Sequence, residues 1–259
     1  MISGRVEADR DGPILEVTLD KAERRNALDP RMIQELESIF TASSEDISLR
    51  AILLTGRGSS FCSGFDLTEL HSLGKPGASE IRMVERLATA IGRTPVPVIA
   101  ALNGPAAGAG CDLALACDIR IGHSGSAFVV PAVKTGLLYG PASTERLVDA
   151  FGRSVGSAML VTGEPVDAHR CFHLGVLWSL VEKAELMTQC RTLATGIARN
   201  APLSVGAVKS FVRLVQKRSV PHGEDEELRL LEDCVWESAD AAAGLQAYLD
   251  KRPVEFVGR

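Results

Sequence analysis

Two short stretches carry the residue types from which an anion site is built: "CSGFDLTEL" (62–70) and "GAGCD" (108–112). In each, glycine stands just before what reads as the first turn of a helix. The first N–H groups of a helix have no intrahelical acceptor and lie at the positive end of its dipole. A backbone stripped to Gly and Ala lets another molecule come close to those groups. Each loop therefore offers donors to a small anion or a polarised carbonyl. Two such loops on one cleft would give two donors to one oxygen. For either loop alone, tight turns and close helix packing are the better explanation of the glycines. Asp112, in the first turn after the second loop, is either a reacting carboxylate or a charge stabilising the dipole by about 0.3–1 kcal/mol.

Other chemistries fit less well. "GPAAGAG" (104–110) fails the G-x-G-x-x-G order of a dinucleotide loop, and "GHSGS" (122–126) is not the G-x-S-x-G of a hydrolase elbow. His169 and His173 would share a helix face, but no acid or cysteine accompanies them as a metal set would require, so no metal is expected. The six cysteines are scattered without a CxxC pair. With no export signal, they read as reduced, mostly buried thiols of a cytoplasmic protein.

The elements that must position these loops follow from pattern. "ILEVTL" (14–19) alternates as a strand, and "LRAILLTG" (49–56) and "PVPVIAALNG" (95–104) read as short buried strands leading into the loops. A helix follows Asp29 as N-cap, with Pro30 at its first position. "IRMVERLATAI" (81–91) is another helix, and "DIRIG" (118–122) and "VLWSLV" (176–181) are further strands. "STERLVDAFG", "SVGSAMLVTG" and "DAHRCFHLG" read as helices, each closing near a C-cap glycine. Beyond about residue 184 only helical pattern remains, with Leu228, Leu231 and Val235 at helical spacing in an acidic segment. The chain of 259 residues is 46% hydrophobic, enough for a substantial core. No apolar run reaches the roughly 18 residues of a membrane span. A net charge of -5 argues against nucleic acid as the main partner.

Taken in order, "RRNALD" (24–29), "GRGSSFCSGFDLTEL" (56–70), "PVPVIAALNGPAAGAGCDLALACDIRIG" (95–122), "MLVTGEPVDAHRCFHLGVLWSLV" (159–181) and "DKRPVEF" (250–256) resemble the crotonase superfamily, the enoyl-CoA hydratase/isomerase family. The resemblance covers nearly the whole chain. It implies an α/β fold, a spiral of ββα units, with residues 1–195 as the acyl-CoA-binding core and 196–259 as a helical region that builds a homotrimer or a hexamer of paired trimers. It implies an acyl-CoA or enoyl-CoA ligand and no cofactor beyond the coenzyme A of that substrate. By position, the donors to the thioester oxygen are the N–H groups of Phe65 and Ala109. Arg24 and Asn26 match the part that lines the coenzyme A nucleotide pocket. Asp66, Leu67, Thr68, Gly110 and Ala132 fall with the substrate-contacting positions, and Asp66 also reads as the cap of the helix after the loop.

The reacting groups depart from the family pattern. The first of the two glutamates that hold the added water in hydratases of this family matches Asp112, one methylene shorter. The second should follow the proline of "FVVPAVKTG" (128–136), where Ala132 stands. A methyl group transfers no proton. Tyr139, in "GLLYGP" (136–141), matches a functional tyrosine of the family's methylmalonyl-CoA decarboxylases. The readings open at this point are an enzyme of hydratase/isomerase type with weakened or altered chemistry, a non-catalytic acyl-CoA-binding protein, and a decarboxylase or thioester hydrolase.

Overall fold

The structure, a computed structural model, describes residues 5–66, 78–216, 233–234, 237–250 and 252–259. Its main sheet has six strands in the order β1 (Arg5–Asp11), β2 (Ile14–Asp20), β3 (Ala51–Gly56), β4 (Val98–Leu102), β6 (Ile119–Gly122) and β9 (Ser179–Leu180). β1 and β2 form an antiparallel hairpin, and every later pairing is parallel. β1 does not stand out in sequence, because its mostly exposed, charged side chains show no buried alternation. The hairpin closes at Gly12, whose φ of 53° needs a residue without Cβ strain.

A smaller sheet holds β5 (Ala106–Ala107), β7 (Ala127–Val129) and β8 (Val166–Asp167). Two parallel bridges, Leu28 to Phe65 and Cys62 to Ala106, extend the same layer. The chain thus visits the large sheet and then the small layer on each turn. That alternation is the spiral of ββα units.

β3 and β4 are buried on both faces, which is why they read as continuous apolar runs. Ile52, Leu54, Val98, Ala100 and Leu102 pack against α1 (Pro30–Ser43) and α2 (Ala78–Arg93) in the main core. Ala51, Leu53, Ile99 and Ala101 face the other way, onto Leu186, Cys190 and Ala194 of α6 (Leu186–Ala198). The expected division at 195/196 falls inside α6. α1 begins as its sequence predicts, with Pro30 in the first turn and Asp29 accepting from Met32 N at 3.0 Å.

α3 (Ala109–Ala116) follows β5 directly. α4 (Pro141–Thr162) joins the two helices expected there into one span, broken at Gly152 by φ 72°. α5 (Ala168–His173) follows β8. α7 (Pro202–Gln216) is pinned to the body by Lys209, whose Nζ contacts Asp118 at 2.7 Å and donates to the carbonyls of Ile91 and Val96. α8 (Ala239–Leu249) holds the C-terminal segment through Asp240, which accepts from Val257 N and Gly258 N. The apolar spacing at Leu228, Leu231 and Val235 lies outside the described residues. Among the described residues no helix is long and apolar enough to cross a membrane.

Candidate active site

The two glycine loops meet. Leu28 N donates to Gly64 O at 2.7 Å and Asp66 N to Leu28 O at 2.8 Å, so Phe65 is bracketed by the bridge and its own N–H is left out of it. Across from it, Gly108 N donates to Val129 O, and the first helical bond of α3 runs from Asp112 N to Gly108 O. Among the described residues neither Phe65 N–H nor Ala109 N–H has an acceptor. Between them stands Gly64, with φ +95°. A Cβ there would lie 2.8 Å from Ala107 O and 3.3 Å from Ala109 N, so the loops touch across this one residue.

Gly110 has a packing reason for its missing side chain: a Cβ would lie 2.3 Å from Cys62 O. The packing purpose considered from sequence is therefore met at Gly110. Gly64 lies between the two N–H groups that have no acceptor among the described residues, while Gly110 lets α3 sit against Cys62. Cys62 and Cys111 beside them are no nucleophiles, since burial pushes both thiols up, Cys62 to about 12.

Asp112 is fully buried and firmly held. Its Oδ2 accepts from Ser143 Oγ at 2.7 Å, and its Oδ1 is ion-paired with Arg146, both on α4. Burial raises its pKa most, against the pull of Arg146 and Ser143, and the charge of Glu85 adds to the rise. A buried pair of this kind loses about 3–5 kcal/mol when one partner is removed. Asp112 thus belongs to the scaffold that joins α3 to α4. Ser143 and Arg146 had no sequence signal, because contacts 31 and 34 positions away leave no local pattern.

Tyr139 sits at the mouth of the same helix, its hydroxyl donating a long bond of 3.4 Å to Gly108 O. Burial and the nearby Asp112 hold its phenol well above 10, so it is a neutral donor and not a base. Ala132 lies on a 3-10 turn, Pro131–Thr135. Phe65, Ala109, Ala132 and Tyr139 are all half-buried and pack against the main core.

The remaining expected residues divide. Arg24 is exposed on a short 3-10 turn. Asn26 is fully buried: it accepts from Lys21 N and donates to the carbonyls of Arg57, Ser60 and Phe61. Its role is to fasten the donor loop, not to line a pocket. Asp66 is buried and accepts from Lys21 Nζ at 3.1 Å; the helix it was expected to cap lies outside the described residues, as do Leu67 and Thr68. Lys21 itself gave no sign in sequence. His173 lies on the exposed face of α5 with its Nδ1 2.7 Å from His169 O, and no metal-binding group exists among the described residues.

This architecture recurs in known proteins. A family model described as enoyl-CoA hydratase/isomerase matches residues 9–259. The chain belongs to that family. The chain is similar to the 2,3-dehydroadipyl-CoA hydratase of Escherichia coli, with 30% identity over 96% of this chain and 97% of that one. It is also 28% identical to the short-chain-enoyl-CoA hydratase of Clostridium acetobutylicum, over 95% of each. A crystal structure of an enoyl-CoA hydratase/isomerase family protein from Hyphomonas neptunium superposes with TM-score 0.91, at 31% identity and 98% coverage of both chains. An enoyl-CoA hydratase from Mycobacterium smegmatis superposes at 0.87, with 29% identity, 97% of this chain and 98% of that one. As a member of the crotonase superfamily, the chain is an acyl-CoA enzyme of hydratase/isomerase type by descent.

Proposed function

We propose that the protein binds acyl-CoA thioesters and stabilises their enolates with the N–H groups of Phe65 and Ala109. The observation that carries this reading is the pair of unspent donors held on either side of Gly64. A thioester takes up charge on its oxygen when a proton or carboxylate leaves the α-carbon. Donors aimed at that oxygen are worth about 2.7–4 kcal/mol of barrier each.

Proton transfer divides this reading. Hydration needs water held and deprotonated while a proton reaches the α-carbon. Asp112 is engaged by Ser143 and Arg146, and Ala132 offers nothing, so hydration is slow. The neutral phenol of Tyr139, at the mouth of α3, favours a second reading: decarboxylation. There the bond to an α-carboxylate breaks, carbon dioxide leaves, the bond's electron pair is held on the thioester oxygen, and the phenol gives a proton to carbon and regains one from water.

Calorimetric titration tests the shared core of both. Acyl-CoAs are expected to bind, and the matching free acids to bind at least about tenfold more weakly, a difference of roughly 1.4 kcal/mol. A panel in which no acyl-CoA gives heat would overturn it.

The chain assembles as a homotrimer or a pair of trimers in this reading. A groove of about 790 Å³ runs between α2, α4 and α7, and Val208 and Val212 stand 58% and 55% exposed on it. Apolar side chains displayed together in this way suit a neighbouring subunit. Light scattering at micromolar concentration should give at least a trimer mass; a monomer mass would sink the idea.

A further inference from the structure

We propose that Lys21 is the positioning residue of the oxyanion hole, its ammonium fixing the direction in which the Phe65 N–H points. This rests on the donor reading above and extends it to a residue that touches no substrate. Lys21 ends its strand region just beyond β2 and is 3% exposed. Its Nζ donates to Asp29 Oδ2 at 2.9 Å and to Asp66 Oδ2 at 3.1 Å. Those acids are themselves buried.

Each acid sets the register of one side of the bridge. Asp29 caps α1 through Met32 N and so fixes Leu28, the residue before it. Asp66 directly follows Phe65. Leu28 and Phe65 are joined by the two backbone bonds already described. Lys21 closes this arrangement from a third side by tying the two neighbours of the bridge together. Without its charge, the two carboxylates it holds would lose the cation they share.

Stability alone does not call for an ion group here. Replacing a buried charged cluster as a whole by apolar residues is often neutral or favourable. The same segment also carries unusual backbone. Arg25 and Asn26 are the described non-glycine residues with positive φ, at 53° and 56°. Such conformations cost about 1–3 kcal/mol each and persist where surroundings over-determine them. Arg25 O accepts from Ser63 N, Arg24 O from Ser63 Oγ, and Asn26 Nδ2 reaches Ser60 O and Phe61 O. The whole turn from 21 to 29 is spent on gripping residues 60 to 66. Lys21 is its buried cation, held on the acid that directly follows Phe65.

The test reads the hole itself. 4-(Dimethylamino)cinnamoyl-CoA absorbs further to the red when its carbonyl oxygen accepts hydrogen bonds. The parent protein is expected to bind this probe with a red shift. Binding without a shift would end the oxyanion reading, whatever Lys21 does. Lys21→Met is expected to bind the probe within about threefold of the parent's affinity while losing at least half of the shift at saturation. A residue that merely supported folding would change stability, not the shift of bound probe. Full shift in folded Lys21→Met overturns the proposal. If that variant does not fold, Asp66→Asn, which keeps shape and weakens the grip, decides on the same readout: a reduced shift supports the proposal and an unchanged one overturns it.

Discussion

Gly64→Ala is expected to lower acyl-CoA turnover by about 10²–10³-fold, the loss typical of one oxyanion donor, or by more if both donors move. Two independent costs fall on this position. Its φ of +95° lies where L side chains rarely go, and its Cβ would come within 2.8 Å of Ala107 O. That oxygen is backbone, so the contact cannot be relieved by a rotamer change. The loops must separate, and the Ala109 N–H, 3.3 Å from the same Cβ, moves with them. Overpacking of this kind costs about 1–3 kcal/mol in stability. Gly175→Ala separates strain from geometry. Gly175 also has positive φ, 75°, but a Cβ there meets nothing within 4 Å. That variant should pay about 1–2 kcal/mol for the left-handed backbone and keep its turnover. Steady-state rates with an acyl-CoA the parent turns over, beside urea unfolding of both variants, make the comparison. Equal turnover in Gly64→Ala and the parent would show that the two N–H groups are not the donors.

The second of those loops was legible in the sequence because its signal is local: a glycine immediately before the start of α3. The buried strands β3 and β4 were legible for the same reason, as apolar runs ending in those loops. Asp29 and Pro30 marked the start of α1 to the residue. What stayed hidden was set by partners far along the chain. Lys21 meets Asp66 across 45 positions, and Arg146 meets Asp112 across 34. No spacing rule reports such contacts. Asn26 was placed near the nucleotide pocket by its neighbours in "RRNALD", yet its amide is spent on backbone carbonyls inside the protein. "VLWSLV" promised a strand of six residues, but only Ser179–Leu180 pairs with β6 at the sheet's edge. Side-chain type told where chemistry could occur; which side chains were free to do it depended on packing.

Asp112 shows how that difference changes an expected gain of function. Ala132→Glu is expected to raise crotonyl-CoA hydration by at least about tenfold, a part of the 10²–10⁴-fold typical of a well-placed general acid–base group. Restoring the family's pattern would suggest lengthening Asp112 to glutamate as well. The structure argues against it. Asp112 is fully buried with one oxygen on Ser143 and the other on Arg146, and an added methylene would have to displace them. Overpacking there costs about 1–3 kcal/mol and disturbs the α3–α4 joint. Position 132 has no such constraint, being half-buried on a 3-10 turn against the main core. A carboxylate introduced there would be partly desolvated, which raises its pKa toward the range where it can both take and return a proton. It would supply the group that Asp112, held in its ion pair, does not. The measurement is the initial rate of crotonyl-CoA hydration at saturating substrate, with binding checked by calorimetry. A folded, crotonyl-CoA-binding Ala132→Glu that hydrates no faster than the parent removes the hydratase reading. Decarboxylation through the Tyr139 phenol and acyl-CoA binding without catalysis would then be the readings left, and a Tyr139→Phe variant that loses turnover while keeping affinity would decide for the first.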